Sequence, residues 1–309
     1  MISIYLKLVK LICNYLPPII SQRLRHTLLK NNFSIKLPKS ALAQSVTGSF
    51  LRVDVNELCG LSFFIHGYYD WRILAIAKAV CQEKGSIIEV GANIGTETIG
   101  FTDIVQENHQ VYAFEPVPYL FKSLEQMKIK KGKLNVFPFV IGNKNSLLKF
   151  NVSKNPNNSG IGHISYSKSD EDGAIDVKCR KLDFFINTFK KISLIHIDAE
   201  GSDLNVIMSG QKVIERDSPV ITAELSKKLL DKYDQSILDF LKTLSNYNYK
   251  VYNITKLGIK SFKKDYLIKN KNVVCIPAKK MQLLIKINRT IMQSGVYPML
   301  KRLNPLKLA

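Results

Sequence analysis

Residues 87–96 read Ile-Ile-Glu-Val-Gly-Ala-Asn-Ile-Gly-Thr, and about twenty residues later the chain runs Val111-Tyr112-Ala113-Phe114-Glu115-Pro116. An apolar run ends in an acid and a glycine-rich turn; a second apolar run ends in another acid. This is the pattern of a strand, a tight loop opening a helix, and a second parallel strand. Gly91 and Gly95 let the backbone approach a ligand, and the helix beyond them offers unpaired N–H groups. Glu115, ending the second strand, is placed to accept both hydroxyls of a ribose. The loop lacks the G-x-G-x-x-G of dinucleotide binders and the G-x-x-x-x-G-K-[ST] that holds polyphosphate. A ribose acceptor without a pyrophosphate cradle points to S-adenosylmethionine rather than NAD or ATP. Gly-x-x-x-Gly alone also fits an ordinary α/β turn; Glu115 adds the specificity.

The pattern continues through the chain. Helices are expected over 71–81, 94–105, 118–127, 182–189, 203–214 and 234–244, and strands over 86–90, 110–115, 134–141, 193–198, 220–225, 249–254 and 272–276. Residues 147–152 and 175–179 read as an added β pair around a polar loop at 155–173. Strands alternating with helices imply a mostly parallel sheet covered on both faces. Residues 1–16 form an amphipathic helix with Ser3, Lys7, Lys10 and Asn14 on one stripe, ended by Pro17-Pro18. It fits docking on the core or lying on a membrane; Lys7 and Lys10 interrupt the apolar run that a signal peptide needs. Gln282, Lys286, Arg289 and Gln293 repeat the stripe in the tail. The division is thus an N-terminal appendage (1–60), a central domain (61–277) and a basic tail (278–309).

Charge is segregated. Residues 1–60 carry 8 Lys/Arg against 2 Asp/Glu, residues 226–309 carry 18 against 4, and residues 61–225 are balanced at 19 of each, so the net charge of +20 belongs to the ends. A basic flank attracts nucleic acid, anionic lipid or an anionic glycan; compositional bias toward lysine, asparagine and isoleucine explains it equally well. Five cysteines (Cys13, Cys59, Cys81, Cys179, Cys275) show no C-x-x-C, which argues against zinc and a disulfide framework and fits a reducing cytosol. No apolar stretch of about 20 residues occurs, so the expected location is cytoplasmic, with peripheral membrane contact through the ends.

Several motifs together resemble the FkbM family of S-adenosylmethionine-dependent methyltransferases. The E/D-V-G-A-N-I-G loop is matched by Glu89 to Gly95, F-E-P by Phe114-Glu115-Pro116, and a Leu-Asp pair by Leu182-Asp183. The I-K-I-D-V-E-G block is matched by Ile195-His196-Ile197-Asp198-Ala199-Glu200-Gly201, and a P-x-x-x-x-E strand by Pro219 to Glu224. His196 stands in place of the family's usual lysine and Ala199 in place of valine. The resemblance covers roughly residues 62–277 and implies a class I methyltransferase fold, Rossmann-like, with a mostly parallel seven-stranded sheet and helices on both faces. It also implies O-methylation of sugars, polyketides or related small acceptors, without identifying the acceptor.

In such sheets the ligand sits beyond the carboxyl ends of the strands. By resemblance Glu89 orients the amino end of the methionine moiety, and Gly91, Ala92, Asn93 and Gly95 lie against the cofactor. Asn93 bonds the cofactor's carboxylate or caps the next helix. Glu115 binds the ribose, and Gly142 is expected beside adenine. Asp198, Glu200 and Asp203 form a general base with an orienting acid, or a Mg²⁺ site, Asp203 also reading as a helix first-turn acid. Asp198 also suits a contact to the cofactor's amino group. His163, in the loop Asn158-Ser159-Gly160-Ile161-Gly162-His163, is a base candidate or an exposed loop histidine. Glu224 could bind acceptor hydroxyls; His196 suits a core position; Tyr68, Tyr69 and Trp71 line a sugar platform or pack internally. The expected reaction is methyl transfer to a hydroxyl of a saccharide, glycolipid or related small acceptor. A nucleic-acid methyltransferase is the rival, disfavoured because neither N-P-P-[FYW] nor Pro-Cys is present. A nucleoside-binding or membrane-recruited protein without chemistry is the non-enzymatic alternative.

Overall fold

The central strands are buried on both faces, as parallel strands roofed by crossover helices must be. The computed structural model describes residues 4–30, 39–81, 84–152, 162–164, 174–262, 271–297 and 302–307. The chain enters through α1 (Ile4–Tyr15) and α2 (Pro18–Lys30), a hairpin of β1 (Ala41–Gln44) and β2 (Phe50–Val53), then α3 (Leu58–His66) and α4 (Trp71–Cys81). Alternation follows with β3 (Ser86–Val90), α5 (Thr96–Ile104), β4 (Val111–Phe114), α6 (Pro118–Lys131) and β5 (Leu134–Phe137). The strands β6 (Phe139–Ile141), β7 (Ser146–Asn151), β8 (His163–Ile164) and β9 (Ile175–Arg180) form a separate small sheet. The main sheet resumes with β10 (Ile192–Ile197), α7 (Asp203–Ser209), α8 (Gln211–Asp217), β11 (Val220–Leu225), α9 (Lys227–Leu230) and α10 (Ile237–Asn246). It closes with β12 (Tyr249–Thr255), β13 (Gly258–Ser261), β14 (Lys271–Pro277) and α11 (Leu283–Val296).

The main sheet has the order β13-β12-β14-β11-β10-β3-β4-β5. From β11 to β5 the neighbours are parallel, and β14, β12 and β13 add antiparallel. It thus has eight strands where seven were expected. The extra one, β13, is a short edge strand set by contacts distant in sequence. Gly258 turns at φ 139, and the Asn288 side chain on α11 accepts the Ile259 N–H at 2.7 Å. The expected strand over 134–141 is broken at Pro138, which has no N–H for a ladder; β5 stays in the main sheet while β6 leaves for the small one. The expected helix over 203–214 divides at Gly210 into α7 and α8.

Period-two alternation assigns the two faces. Ile87, Val111, Ala113 and Leu194 join one core; Ile88, Tyr112, Phe114 and Ile195 join the other. The first core also takes in Leu6, Val9 and Cys13 of α1 and Leu283, Ile287 and Ile291 of α11. Both chain ends, expected to be appendages, therefore pack into the same core as the central strands.

Strand succession reverses between β3 and β10: from β3 the chain moves outward to β4 and β5, from β10 the other way to β11. A crevice opens at such a switch point. There the two loops nearly touch. The Asp198 N–H donates to the Val90 carbonyl at 2.9 Å, and a Cβ on Gly91 (φ 86) would lie 2.0 Å from the Asp198 carbonyl oxygen. Gly91→Ala should therefore cost roughly 2 kcal/mol or more, combining left-handed backbone strain with a backbone clash. Urea denaturation of the variant checks this, and a midpoint equal to wild type would refute the close-approach argument.

Candidate functional site

A cleft of about 340 Å³ lies over the carboxyl ends of β3, β4, β10 and β11. Glu89, Gly91, Ala92, Asn93, Glu115, Asp198, Glu200 and Glu224 all line it. Gly95 turns the chain from this loop into α5, at φ 88, and is its N-cap. Asn93 does not cap α5. It occupies the left-handed region at φ 48, which asparagine tolerates, and its N–H donates to Glu115 Oε2 at 2.8 Å.

Glu115 is fixed by two backbone bonds, the second from Val117 N–H to Oε1 at 2.9 Å. Each carboxylate oxygen can accept two bonds and here accepts one from backbone, so each retains one acceptor position. Burial pushes the carboxyl up to about 7, against the pull of these N–H groups. Phe114, Phe139, Val140 and Ile141 supply an apolar wall next to it, with Phe114, Phe137, Phe139 and Phe185 in ring contact behind. Such a pairing of an apolar slot with a two-oxygen acceptor suits a nucleoside. Glu89 is almost fully enclosed; burial raises it well above the carboxylate range, and the Thr98 hydroxyl donates to it at 2.7 Å.

Gly142 is the residue expected beside adenine. It does not line the cleft, because the break at Pro138 carries β6 into the small sheet, where the Gly142 N–H donates to the Arg180 carbonyl at 3.0 Å. The three residues before it form the wall instead.

The other half of the cleft is acidic. Asp198 faces the opening, and its carboxylate accepts no hydrogen bond from the described residues. The enclosing protein, Glu224 and Asp70 raise it to about 6. Glu200, at φ 48 in the turn after β10, is raised to about 8 by burial and then by Asp198 and Glu224. Burial raises Glu224 as well.

Asp203 has a different role from the ligand or acid considered above. It is fully buried, and its carboxylate accepts from Glu224 N–H at 3.1 Å and Gly201 N–H at 3.3 Å, tying the β10 loop to the end of β11. Its oxygens hold backbone and it does not line the cleft, so Asp198, Glu200 and Asp203 do not converge there as a group. Among the described residues no group of three or more His, Cys, Asp or Glu is arranged for a metal ion.

His196 bonds Thr222 Oγ1 through Nδ1 at 2.9 Å and meets the Phe101 ring edge-on; burial lowers it to about 4. It is a neutral core histidine whose edge reaches the cleft. Tyr68 and Trp71 are buried, whereas Tyr69 is 41% exposed and lines the cleft. The side chain of His163 and residues 153–161 lie outside the described residues. The His163 backbone pairs with Asn151, and the adjoining Gly162 lines the cleft.

Sequence reasoning missed Cys59, Asp70, Glu97 and Asn272, all on the wall. Burial pushes the Cys59 thiol up to about 12, so it remains protonated. Asp70 Oδ1 accepts from Arg72 Nε at 2.8 Å and Oδ2 from Asn272 Nδ2 at 3.3 Å, while the Asp70 N–H donates to Glu97 Oε1 at 3.0 Å. Asp70 and Glu97 read locally as helix-start acids, which concealed them; their convergence needs 202 residues of separation between Asp70 and Asn272 to be closed.

Burial raises Glu97 to about 7. The folded state then binds its proton more tightly than the unfolded chain, so this group's contribution falls as pH rises from about 4.5 to about 7. Glu97→Gln keeps an acceptor for the Asp70 N–H and removes that loss. Its gain over wild type should be absent near pH 4, grow through this window and level off above it, at up to roughly 3 kcal/mol. Urea titrations at pH 4 and pH 8 check the sign; equal gains at both would refute it.

The model for the methyltransferase FkbM domain matches residues 89–251, just over half of the chain. The chain is similar to a crystal structure of methyltransferase FkbM from Methylobacillus flagellatus, at 15% identity and a TM-score of 0.38, covering 61% of this chain and 43% of that one. This chain therefore spans less than half the length of that relative. It is also similar to the fibrillarin pre-rRNA processing protein of Methanococcus jannaschii (14% identity, TM-score 0.39, 80% of this chain and 86% of that one). Aeropyrum pernix fibrillarin with bound S-adenosyl-L-methionine is similar at 10% identity and TM-score 0.38, over 76% and 97% of the two chains. No curated protein matches the sequence. The domain match runs from the acid that ends β3 into β12, across the whole cleft just described, and the chain belongs to the FkbM methyltransferase family, whose methyl donor is S-adenosylmethionine.

Proposed function

We propose that this methyltransferase acts on a hydroxyl of an uncharged polyhydroxy acceptor, a saccharide or the sugar of a glycolipid. One observation carries the reading. The acceptor half of the cleft presents Asp70, Glu97, Asp198, Glu200 and Glu224, and no Lys or Arg lines the cleft among the described residues. Carboxyl groups in a partly enclosed cleft suit a ligand rich in O–H donors. They repel phosphate, which disfavours a nucleic-acid acceptor despite the net charge of +20.

The residues present suit the donor. Glu115 keeps two acceptor positions for a ribose diol, the apolar wall suits adenine, and ionised Asp198 favours a sulfonium or an ammonium. When bound, S-adenosylmethionine supplies an electrophilic methyl group, to which the acceptor oxygen bonds as the carbon–sulfur bond breaks. The protein's task is to hold the oxygen in line and accept its proton. Asp198, at about 6, is ionised at neutral pH, and its carboxylate accepts no hydrogen bond from the described residues. It is assigned as the base. Glu200, at about 8, is mostly protonated there and can donate to an acceptor oxygen while Glu224 orients a neighbouring hydroxyl. The acceptor class is tested by methyl transfer to neutral saccharides, their phosphorylated forms and RNA side by side; preference for the phosphorylated forms or RNA would overturn it.

Two variants separate binding from chemistry. Glu115→Ala should weaken S-adenosylhomocysteine binding by about 2–4 kcal/mol, the range for charge-assisted hydrogen bonds to two hydroxyls. Titration calorimetry checks it, and unchanged affinity in a folded protein would remove Glu115 from the ribose site. For the wild type, kcat/KM should fall about tenfold per pH unit below about 6, as Asp198 of the free enzyme takes up a proton. Asp198→Asn should lower kcat strongly at every pH, abolish that acid limb and leave the thermal midpoint near wild type. Persistence of the limb in the variant would assign it to another group.

A further inference from the structure

The first helix is apolar on two opposite sides. Leu6, Val9 and Cys13 are buried in the core. On the other side Ile4, Leu8, Leu11, Ile12 and Tyr15 form a stripe that is 85%, 50%, 53%, 39% and 61% exposed. Their spacing of i, i+4, i+7, i+8 and i+11 places them on one continuous face. Ile20 extends it onto α2 at 52% exposure, and Lys7 and Arg23 are exposed on the same two helices.

The other end of the chain lies alongside. α11 packs on α2 and α4, and Lys10 and Asn14 of α1 share a hollow of about 350 Å³ with Ser294, Asn304 and Lys307. Val296, Tyr297 and Leu303, next to these residues in sequence, are 43%, 38% and 43% exposed. The sequence contains no Asp or Glu in residues 1–53 or 266–309. The fold thus brings parts of two acid-free segments together beside the helix that carries the exposed apolar stripe, while the cleft collects acids.

We propose that this terminal face is a docking surface for an anionic phospholipid bilayer, with α1 lying in the headgroup layer. Apolar side chains and a tyrosine on a short helix flanked by cations are what an interfacial helix requires. No described helix is long and apolar enough to cross a membrane, so the surface rests on the bilayer rather than entering it. A nucleic acid would satisfy the cations but offer nothing to the leucine and isoleucine stripe. A second copy of the chain would bring like charge against like.

The experiment uses the full chain and reads binding without methyl transfer. Co-sedimentation is measured with phosphatidylcholine vesicles and with phosphatidylcholine–phosphatidylglycerol vesicles, at low and high salt. The protein should pellet with the anionic vesicles, less so at high salt, and remain in solution with neutral ones. Leu8→Ser/Leu11→Ser and Lys7→Glu/Arg23→Glu should each lower partitioning on the order of tenfold or more. All four side chains are exposed, so both variants should keep the wild-type circular dichroism and S-adenosylhomocysteine affinity. Three outcomes would overturn the proposal: wild-type protein left in the supernatant with anionic vesicles at low salt, variants that bind as well as wild type, or a wild-type dimer in light scattering that Leu8→Ser/Leu11→Ser dissociates. Retention on RNA without vesicle binding would assign the face to nucleic acid instead.

Discussion

The approach of two backbones at the point where the strand order reverses governs the cleft end of this molecule. The loop after β3 and the loop after β10 come together at Gly91 and Asp198, where a Cβ would lie 2.0 Å from a carbonyl oxygen. That contact needs the parallel register that sets Val90 beside Ile197. It brings the nucleoside loop and the acid-bearing loop to one opening. Asp203 performs a matching task one strand further on, holding Gly201 and Glu224 through their N–H groups. A fully buried carboxyl there is costly in isolation, and the two backbone bonds offset part of that cost.

Charge is distributed unevenly in this molecule. Glu89, Glu97, Glu115, Asp198, Glu200 and Glu224 converge on one cleft, and burial raises the carboxyl pKa of each. Such crowding opposes stability at neutral pH, so a cationic ligand bound among these groups would stabilise the fold. The net positive charge lies in residues 1–60 and 226–309, while residues 61–225 sum to zero.

The small sheet of β6 to β9 completes the apolar end of the cleft. Because Pro138 cannot donate to the main ladder, the chain leaves the sheet directly after β5, and Phe139, Val140 and Ile141 become cleft wall. Phe150 of β7 and Gly162, just before β8, reach the same cleft. The insertion is therefore part of the site. The parallel sheet alone would leave the apolar slot open on that side.

The sequence by itself determined the alternating strands, the glycine loop, Glu115 and the Asp198–Glu200 block. Each is carried by local signals: buried runs of period two, glycines at positive φ, and acids at strand ends. Tertiary structure decided what depends on contacts between distant residues. β13 exists because Asn288 on α11 anchors it; Gly142 is absent from the cleft because β6 changes sheet; Asp203 is a backbone clamp because Glu224 arrives beside it. Asp70, Glu97 and Asn272 meet only in the folded chain. The sequence revealed two basic amphipathic ends, but their packing into the core and the meeting of parts of them at one hollow follow from long-range burial, which local periodicity does not encode.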